Sequence, residues 1–529
     1  MKSLVIAVDV GTTNVRAHVV DKQGYVVGKA SEKLIVEQPK PGWAEIDHEK
    51  LWCQFQTVVK DSIKDAGIQA HDVAALGITT QRNTFITWNK RTGKPLHNFI
   101  CWYDLRCADL CRQWNNSYRM KGLNFVSGAL HLVTRSKRFL AGRVIEFYPK
   151  MVTMRYVWVL QNIYEVAMLA AEGLLLFGTI DTWLLWKLSK GTLHATDYSN
   201  ASSTGMFDPY TLKWNSFIMG MVGVPIDTLP NVRDTYGEFC TCPPELFGSP
   251  IPVTAVVADQ QSAMFAQCCW SPGDVKITLG TGMFFDVNTG DRAHASLTGF
   301  LPLIGWKVGT ELVYLAEGQS SDSGITLEWG QRAGLYSSPA ETAAVAQSVE
   351  DSGGICVFPA FNGFLVRCLF YVFLQSLIII VLQVPINDSK ACGAIMGLTL
   401  TTSREQICRA FLESIAYRTH QLYSTAQRET QCNSLMIKVD GGVSNNNFIV
   451  QLISDLIGVK IQRSHQIDMT VLGAAYMAGL ASGVWASRDE VQNLQQIECV
   501  FQPRELSRSQ LMSQRRWLAA LPRCLNWYS

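Results

Sequence analysis

The sequence has few charged residues, almost no net charge and no long run of basic residues. Charged side chains make up 17% of its 529 residues, and the formal net charge is +2. Binding nucleic acid through its phosphates requires concentrated lysine and arginine, so this composition argues against a nucleic-acid partner. Hydrophobic residues make up 48% of the chain. That fraction suits a globular protein, and a chain of this length predicts two large domains.

The cysteines lack the spacing of a zinc site. All 15 are scattered, and although Cys101, Cys107 and Cys111 lie close together, no His or Cys pair at zinc spacing joins them. Free thiols in a reducing compartment are the favoured interpretation. The chain also begins in an apolar strand without the basic segment and small-residue cleavage site of a signal peptide, so a cytoplasmic location is expected.

What the sequence does contain is a sharp reversal near its start. Leu4 to Val8 and Val15 to Val20 predict two short strands, with Asp9 and the turn "GTT" between them. One interpretation is an ordinary hairpin in which Gly11 supplies the turn geometry. The other is a phosphate cradle, in which the turn donates hydrogen bonds to an anion and Asp9 holds a hydrated Mg²⁺. A similar strand and Gly/Thr-rich turn recurs at Leu279, which indicates two related halves facing a cleft.

Apolar strands alternate with helices along the remaining chain, a pattern typical of an α/β protein. Asp47 and Asp181 are predicted to cap the helices that follow them. Asp259 comes directly after the apolar strand "IPVTAVVA" and before another helix. It is either the cap of that helix or a general base, since a carboxylate at the end of a buried strand can accept a hydroxyl proton in a cleft.

Together these motifs resemble those of the FGGY carbohydrate kinases, in particular the glycerol kinase branch. "DVGTTNVR" and "LGTGMF" resemble the two phosphate loops of the family, and "VDGGVSNNNF" resembles its adenosine motif. The blocks "PKPGWAEID", "TQRNT", "GTIDTWLLWKL", "ADQQSAMF" and "LGAAYMAGLA" occur in the family's order. The resemblance implies an α/β fold of two actin-like ATPase (RNase H-like) domains facing an ATP cleft. They are expected at residues 1–253 and 254–529, the latter with a C-terminal tail from about 486.

The resemblance also implies roles for individual residues. Asp259 is the implied general base, and Asp9 is the implied catalytic carboxylate that holds Mg²⁺ through water. The residues implied to bind the substrate are Arg82, Asn83, Trp102, Asp259, Gln260 and Phe284. The residues implied to bind ATP are Thr12, Thr13, Asn14, Arg16, Thr281, Gly324, Glu328, Gly442 and Asn446. The implied activity is ATP-dependent phosphorylation of glycerol to sn-glycerol 3-phosphate, carried out by a homodimer or tetramer.

Two departures from the family pattern concern the substrate. The family's Arg-Glu pair for glycerol is Arg82-Asn83 here, and losing a charged hydrogen bond costs about 1.5–3 kcal/mol. The family tyrosine that contacts glycerol has no clear counterpart in residues 130–158. Two alternatives therefore stay open: a kinase for another small polyol or sugar, and a nucleotide-binding regulatory protein with weak or no turnover.

A third departure is an extra apolar stretch at about residues 364–381. As a helix it would be long enough to cross a bilayer. A single crossing, however, would separate Asp9 from Asp440 and abolish the cleft, so no membrane span is expected. The alternatives are a peripheral membrane hairpin, a helix packed on the second domain, and translated non-coding sequence. We expect that deleting the stretch improves solubility and leaves activity intact.

Overall fold

The computed structural model describes residues 2–528 apart from 297, 321–322, 361–363, 366–386, 389–390 and 467. The strands of the described residues are β1 Leu4–Val10, β2 Asn14–Val20, β3 Val26–Lys33, β4 Glu45–Ile46, β5 Val73–Thr80, β6 Phe85–Asn89, β7 Phe99–Ile100, β8 Leu175–Thr179, β9 Ala195–Asp197, β10 Phe207–Asp208, β11 Lys213–Trp214, β12 Asn231–Arg233, β13 Tyr236–Cys242, β14 Ile251–Ala258, β15 Val275–Leu279, β16 Met283–Gly290, β17 Leu301–Val308, β18 Glu311–Ser320, β19 Cys356–Phe358, β20 Phe364–Leu365, β21 Asn387–Asp388, β22 Ala394–Met396, β23 Met436–Asp440, β24 Lys460–Ser464 and β25 Ile497–Phe501.

The α-helices of the described residues are α1 His48–Asp65, α2 Ala108–Asn116, α3 Tyr118–Thr134, α4 Lys137–Arg143, α5 Val152–Asn162, α6 Tyr164–Ala171, α7 Ile180–Leu188, α8 Tyr198–Ser203, α9 Ser216–Val222, α10 Pro244–Phe247, α11 Asp259–Ala266, α12 Gly324–Arg332, α13 Thr342–Gln347, α14 Arg404–Thr430, α15 Asn447–Ile457, α16 Met469–Ser482, α17 Arg488–Gln492 and α18 Arg508–Ala520.

Two large sheets repeat one arrangement of strands. The first has the order β13-β14-β5-β1-β2-β3, and the second has the order β17-β18-β16-β15-β23-β24-β25. In each sheet an antiparallel hairpin, β1–β2 or β15–β16, pairs with a third antiparallel strand on one side. On its other side lie two parallel strands and then an antiparallel edge strand. The short sequence echo at Asp9 and Leu279 therefore marks corresponding hairpins of two α/β halves.

The carboxyl ends of three parallel strands bring polar residues to one edge of the first sheet. Strands β1, β5 and β14 are neighbours and run parallel. Asp9 lies near the end of β1, Arg82 follows β5 by two residues, and Asp259 follows β14 directly. This edge is where open α/β sheets place their ligands.

Helices α11 and α16 pack between the two sheets. They share one apolar cluster with the first sheet and with Trp306 and Leu315 of the second. The Ser262 hydroxyl of α11 donates a hydrogen bond to the Thr470 carbonyl oxygen at 2.6 Å. A Cβ on Gly473 would lie only 1.9 Å from the Ser262 carbonyl oxygen, so the two helices can cross this closely only with glycine there. Helix α16, although it comes late in the chain, thus covers β1, β5 and β14.

The two predicted helix caps have different outcomes. Asp47 caps α1, since its carboxylate accepts hydrogen bonds from the backbone N–H groups of Glu49 and Lys50 at 2.9 and 2.8 Å. The cap predicted at Asp181 is wrong, because Asp181 lies inside α7. Its carboxylate accepts from the buried hydroxyls of Thr179 and Thr196 at 2.5 and 2.6 Å.

Helices α3 and α4 form a helical hairpin that overlaps the start of residues 130–158, the stretch without a clear counterpart of the family tyrosine. Asn115 closes its base, because the Asn115 side chain donates to the Phe147 carbonyl oxygen and accepts from the Phe147 N–H, both at 2.9 Å. Two tyrosines that follow bind other side chains. Tyr156 is buried and donates to the Thr228 hydroxyl at 2.8 Å, and Tyr148 donates to Glu146.

Three expectations concern the rest of the chain. The extra apolar stretch lies outside the described residues except for Phe364 and Leu365, and its deletion stays a prediction. In the part of the chain that the structure describes, no helix combines the length and apolar character needed to cross a bilayer. The expected boundary at residues 253 and 254 falls within β14 of the first sheet, and it too stays a prediction. Beyond residue 486, strand β25 pairs with β24 and completes the second sheet.

Candidate active site

Asp9 is almost fully buried, and only one of its two carboxylate oxygens accepts a hydrogen bond. Its Oδ2 accepts a hydrogen bond from the Thr470 hydroxyl at 2.7 Å and lies 3.7 Å from Arg16 Nε. Its Oδ1 has no hydrogen-bond partner among the described residues. Burial raises the pKa of Asp9 to about 6, against the opposing effects of Arg16 and Thr470. A buried carboxylate with an unsatisfied oxygen fits a hydrated Mg²⁺, which binds carboxylates and keeps several waters.

Arg16 is shared between Asp9 and a second carboxylate. Its Nη1 donates to Asp468 Oδ1 at the start of α16, and His18 Nε2 lies 3.6 Å from the other oxygen of Asp468. Burial lowers the pKa of His18. The Arg16 guanidinium therefore connects the first hairpin to the helix between the sheets and adds positive charge beside Asp9.

The turn after Asp9 is tight, and its glycine places no side chain beside the carboxylate. The Gly11 N–H donates to the Asn14 carbonyl oxygen at 3.0 Å, and the Gly11 carbonyl oxygen accepts from Gln81 Nε2 at 2.9 Å. A Cβ on Gly11 would lie 3.3 Å from the Asn14 carbonyl oxygen and 4.0 Å from both oxygens of Asp9. The missing side chain thus keeps the space above Asp9 free for an anion and its metal ion.

The hydroxyls of this turn face two environments. Thr12 Oγ1 accepts a hydrogen bond from the Trp102 indole N–H at 3.2 Å. Thr13 is exposed, and its hydroxyl accepts from Asn14 Nδ2 at 3.3 Å. Lys150 Nζ lies 5.5 Å from the centre of the Trp102 ring. Trp102, predicted to contact substrate, is therefore held between the first turn and a lysine.

Arg155 fixes the backbone beside Trp102 and the backbone at Lys150. Its buried guanidinium donates to the carbonyl oxygens of Cys101 at 2.7 Å and Lys150 at 3.0 Å, and also to those of Ile100 and Pro149. Burial lowers the pKa of Arg155 to about 10. One side chain thereby fixes the backbone just before Trp102 and the backbone that carries Lys150.

Arg82 lies between two carboxylates and an aromatic ring. Its Nη1 and Nη2 donate to the two oxygens of Glu317 at 2.7 and 3.1 Å, and its Nε lies 3.4 Å from Asp259 Oδ1. The guanidinium also lies 5.5 Å from the centre of the Phe284 ring. Burial alone lowers the pKa of Arg82, but Glu317 and Asp259 outweigh that effect and raise it. The predicted residues Arg82, Asp259 and Phe284 are therefore brought together, and Arg82 links the two sheets.

Asp259 is the first residue of α11, and the cap position belongs to Ala258. Its Oδ1 accepts a hydrogen bond from the Gln260 N–H at 2.8 Å, and its side chain keeps 24% of its surface exposed. Burial raises the pKa of Asp259, while Arg82 lowers it. A carboxylate that is positioned by an arginine and still reached by solvent suits proton transfer with a bound hydroxyl group.

The side chain of Gln260 is hydrogen-bonded to a buried lysine. Lys276 Nζ donates to Gln260 Oε1 at 2.8 Å and lies 3.0 Å from Asp286 Oδ2. Lys276 and Asp286 are both fully buried, and burial raises the pKa of Asp286 to about 7 despite the lysine. Lys276 thus fixes the Gln260 amide, whose N–H groups stay available to donate to a substrate.

Asn83 has an unusual backbone conformation. Its φ of 65° lies in the left-handed region, which asparagine adopts more readily than glutamate. Its Oδ1 is buried and has no hydrogen-bond partner among the described residues. The residue that replaces the family's glutamate therefore combines a special turn geometry with an unsatisfied acceptor.

The second turn contacts the starts of two other elements. Thr281 is exposed, and its carbonyl oxygen accepts from the Ile325 N–H at 3.0 Å. A Cβ on Gly324, at the start of α12, would lie 2.7 Å from the Gly280 carbonyl oxygen. Gly441 has φ 88°, and a Cβ there would lie 2.5 Å from the Leu279 carbonyl oxygen. Close backbone packing thus brings the second phosphate motif, α12 and the adenosine motif together.

The remaining predicted nucleotide residues differ in their surroundings. Gly442 has open space around its Cα, with no atom within 4 Å of a built Cβ. Asn446 caps α15 by accepting from the Ile449 N–H, and its amide donates to the Thr342 hydroxyl at 2.9 Å. Glu328 is exposed on α12.

Several residues around these groups were not predicted, among them Glu317, Lys276, Asp286, Thr470 and Asp468. Glu317 is the most informative, because it is fully buried in β18 and binds Arg82 across 235 positions of sequence. A carboxylate within an otherwise apolar strand is a signal that could have identified it, since such groups are rarely buried without a partner.

Comparison with known proteins adds independent findings. Residues 4–266 match the N-terminal domain, and residues 275–482 the C-terminal domain, of the FGGY family of carbohydrate kinases. Glycerol kinase 5 of Mus musculus is 47% identical over 525 residues, which cover 99% of this chain and 95% of that protein. Glycerol kinase 2 of Thermotoga maritima is 37% identical over 526 residues, or 99% of each chain.

A solved structure agrees with these relatives. The crystal structure of Plasmodium falciparum glycerol kinase with ADP superposes with a TM-score of 0.84. Sequence identity in that match is 26%, and the match covers 99% of this chain and 98% of that chain. The whole two-half architecture is therefore shared, including both repeated sheets.

Proposed function

The chain belongs to the FGGY family of carbohydrate kinases, and from this premise we propose that it transfers the γ-phosphoryl group of ATP to glycerol, giving sn-glycerol 3-phosphate. Its fold is the two-domain α/β fold of that family, built on the actin-like ATPase architecture. The observation that carries the proposal is the group formed by Asp259, Arg82 and Glu317 beside Asp9. It supplies a proton acceptor, a cation and a metal-binding carboxylate at one edge of the first sheet.

Asp259 acts as the general base in this proposal. Its carboxylate accepts the proton of the attacking hydroxyl as the new oxygen–phosphorus bond forms. The bond between the γ-phosphorus and its bridging oxygen breaks, and its electron pair leaves with ADP. The raised pKa of Asp259 supports this role, because a base gains strength as its pKa approaches the working pH.

Arg82, Trp102, Gln260 and Phe284 orient the polyol. Two of the N–H donors of Arg82 bind Glu317, so one N–H on each terminal nitrogen is left for hydroxyl oxygens. The amide of Gln260 donates to a further hydroxyl, while the rings of Trp102 and Phe284 contact the carbon chain. Such positioning is the larger part of catalysis in phosphoryl transfer.

The nucleotide lies between the two turns in this proposal. Thr12, Thr13, Asn14 and Thr281 donate to the phosphates, and Arg16 contributes charge. Asp9 would hold Mg²⁺ through water, and the ion would supply positive charge to the phosphate oxygens. Gly324, Glu328, Gly442 and Asn446 lie against the adenosine, where Gly442 leaves room for a flat ring.

A second candidate function is favoured by Asn83. The neutral side chain replaces the carboxylate that binds glycerol in the family, and its own acceptor is unsatisfied. A kinase for another small polyol or sugar would use that acceptor for a different hydroxyl. Loss of turnover with retained nucleotide binding would indicate a regulatory protein instead.

Substitution of the base tests the proposal. Asp259→Asn is expected to keep nucleotide affinity and to lower kcat by about 10²–10⁴-fold, because only proton acceptance is removed. Asp489→Asn, an exposed residue of a first helical turn, is the matched control. Near-normal turnover of Asp259→Asn would contradict the assigned base.

The substrate is tested separately by measuring ADP release over glycerol, dihydroxyacetone and small sugars. Glycerol is expected to give the highest kcat/KM. A higher value for another polyol would support the second candidate function, and no turnover with any of them would support the regulatory one. The proposal also includes a cytoplasmic location and a homodimer or tetramer, which fractionation and light scattering would test.

A further inference from the structure

The α3–α4 hairpin has a charge composition unlike the rest of the chain. From Ser117 to Ile145 the sequence contains no aspartate or glutamate. It contains six basic residues, namely Arg119, Lys121, Arg135, Lys137, Arg138 and Arg143. The protein as a whole is nearly neutral, so this segment concentrates positive charge in one place.

Most of this charge is not compensated by the fold. Arg138 forms an ion pair with Asp208 at 2.6 Å, which fastens α4 to the domain. No ion pair joins the other five basic residues to a carboxylate in the described parts of the chain, and all five are exposed. Their charge is therefore available to an external partner.

The outer side of α3 is apolar instead of polar. Tyr118, Phe125 and Val133 are 93%, 79% and 84% exposed, and Val126 and Leu132 are also exposed. At 100° per residue these five residues fall within about one third of the helix circumference. We call them the apolar stripe. A surface helix normally turns such a stripe towards the core, but α3 turns Met120 and Ser127 inwards instead.

The basic residues flank the apolar stripe. Arg119 and Lys121 fall on opposite sides of it at the helical angle, and Arg135 and Lys137 follow its C-terminal end. Long basic side chains can keep their charged ends in the headgroup layer while their stems accompany apolar residues. An exposed apolar stripe bordered by uncompensated lysine and arginine is the arrangement of helices that lie in a membrane interface.

We propose that the apolar stripe of α3 and its basic border bind an anionic membrane surface, with the helix lying parallel to the bilayer. Helix α3 has 17 residues, and at its rise it measures roughly 25 Å along the surface. A second copy of the chain is a poorer occupant, because two identical basic borders repel each other. A membrane with acidic lipids supplies both the apolar layer and the opposite charge.

The structure also shows why the hairpin can bind without disturbing the rest of the protein. The Asn115–Phe147 hydrogen bonds close its base. Ser127 of α3 packs against Gly142 of α4, where a Cβ would lie 2.7 Å from the serine hydroxyl. The two helices therefore form one unit whose outer residues have no part in the candidate active site.

The test uses the full-length protein and co-sedimentation with vesicles of phosphatidylcholine, with and without phosphatidylserine. Binding is expected only with phosphatidylserine and is expected to weaken as salt is raised. Phe125→Ser/Val133→Ser is expected to lower the partition coefficient about ten-fold or more. Arg119→Gln/Lys121→Gln is expected to lower it about five-fold for each residue. Both variants should keep normal kinase activity, which reports that they are folded.

Leu398→Ser/Leu400→Ser is the matched control, because both leucines are exposed and follow β22 of the second half. It is expected to bind like the original protein. Absence of binding to phosphatidylserine vesicles, or an equal loss in this control, would overturn the proposal. Concentration-dependent dimerisation that Phe125→Ser/Val133→Ser abolishes would overturn it in favour of a second copy.

Discussion

Asp9 differs from the exposed aspartates of the chain in being buried with one oxygen unsatisfied. Because burial raises its pKa to about 6, the folded protein binds a proton there more readily than the unfolded chain does. The free energy of unfolding therefore falls as pH rises from about 4 to about 6. Above pH 6 the protein carries the full free-energy cost of the buried Asp9 charge.

Asp9→Asn is expected to stabilise the protein at pH 8, by on the order of 3 kcal/mol, because it removes the buried charge. The gain should shrink towards zero near pH 4, where Asp9 is protonated in both states. Denaturant unfolding at several pH values measures this difference. Asp489→Asn should show no such trend, and a gain for Asp9→Asn that is independent of pH would disprove the assignment.

Asn83→Glu tests the substrate at the scale of one residue. Restoring the carboxylate beside Arg82 is expected to raise kcat/KM for glycerol by about 10- to 100-fold, since it adds a charged hydrogen bond. It is also expected to cost about 1 kcal/mol of stability, because φ at this position is 65°. Asn83→Gln introduces a side chain as long as glutamate but without its charge. It should therefore lower stability without raising kcat/KM. An unchanged or lower kcat/KM would mean that the pocket is built around asparagine.

At this scale, the position of a residue is predictable where it follows a recognisable strand. Asp9, Arg82 and Asp259 were predicted, and the structure places them at neighbouring strand ends. Glu317 was not predicted, because its partner Arg82 is far away in sequence and no local pattern connects them. Asp181 was predicted to cap a helix, but buried threonine hydroxyls reached its carboxylate instead.

At the scale of elements, the crossing of α11 and α16 sets the distance between the sheets. The two helices meet where Gly473 faces the Ser262 carbonyl oxygen, and α16 meets β5 where Gly77 faces the Ala474 carbonyl oxygen. Both contacts involve backbone, so neither neighbour can rotate away as a side chain would. Small residues at these positions are therefore a condition of the fold.

Gly473→Ala is expected to destabilise the protein by about 3 kcal/mol or more, because its Cβ would overlap the Ser262 carbonyl oxygen. Gly220→Ala is the matched control. Gly220 lies in α9 with no atom within 4 Å of a built Cβ, so alanine there should be neutral or stabilise slightly. Thermal unfolding of both variants measures the contrast, and equal midpoints would refute this account of the crossing.

The two repeated hairpins were predictable as elements, since strand, turn and strand adjoin in the sequence. The α3–α4 hairpin was not, because its apolar residues face outwards and give no sign of a buried side.

At the scale of the whole molecule, a buried ion pair joins the two sheets. Arg82 follows a strand of the first sheet, and Glu317 belongs to β18 of the second. Water reaches little of this pair, so removing one charge leaves the other without compensation. Glu311 of β18 forms a second, more exposed ion pair with Arg488.

Glu317→Gln is expected to lower the free energy of unfolding by about 3 kcal/mol and to raise the KM for the polyol, because Arg82 loses its fixed orientation. Glu311→Gln removes the same charge from the more exposed pair and should cost less than about 1 kcal/mol. Denaturant unfolding and initial rates give both readouts. Similar losses for the two variants would show that the buried pair has no special part in joining the sheets.

The late position of α16 has a consequence for the protein during its synthesis. Strands β1, β5 and β14 leave the ribosome early, but the helix that covers them follows β14 by about 200 residues, or roughly 10–40 s at ordinary rates of translation. Until then the inner face of the first sheet, with Val5, Ala75 and Val257, has no permanent cover from α16. A nascent chain with that exposed face is a client for chaperones, and a slow ribosome prolongs its exposure.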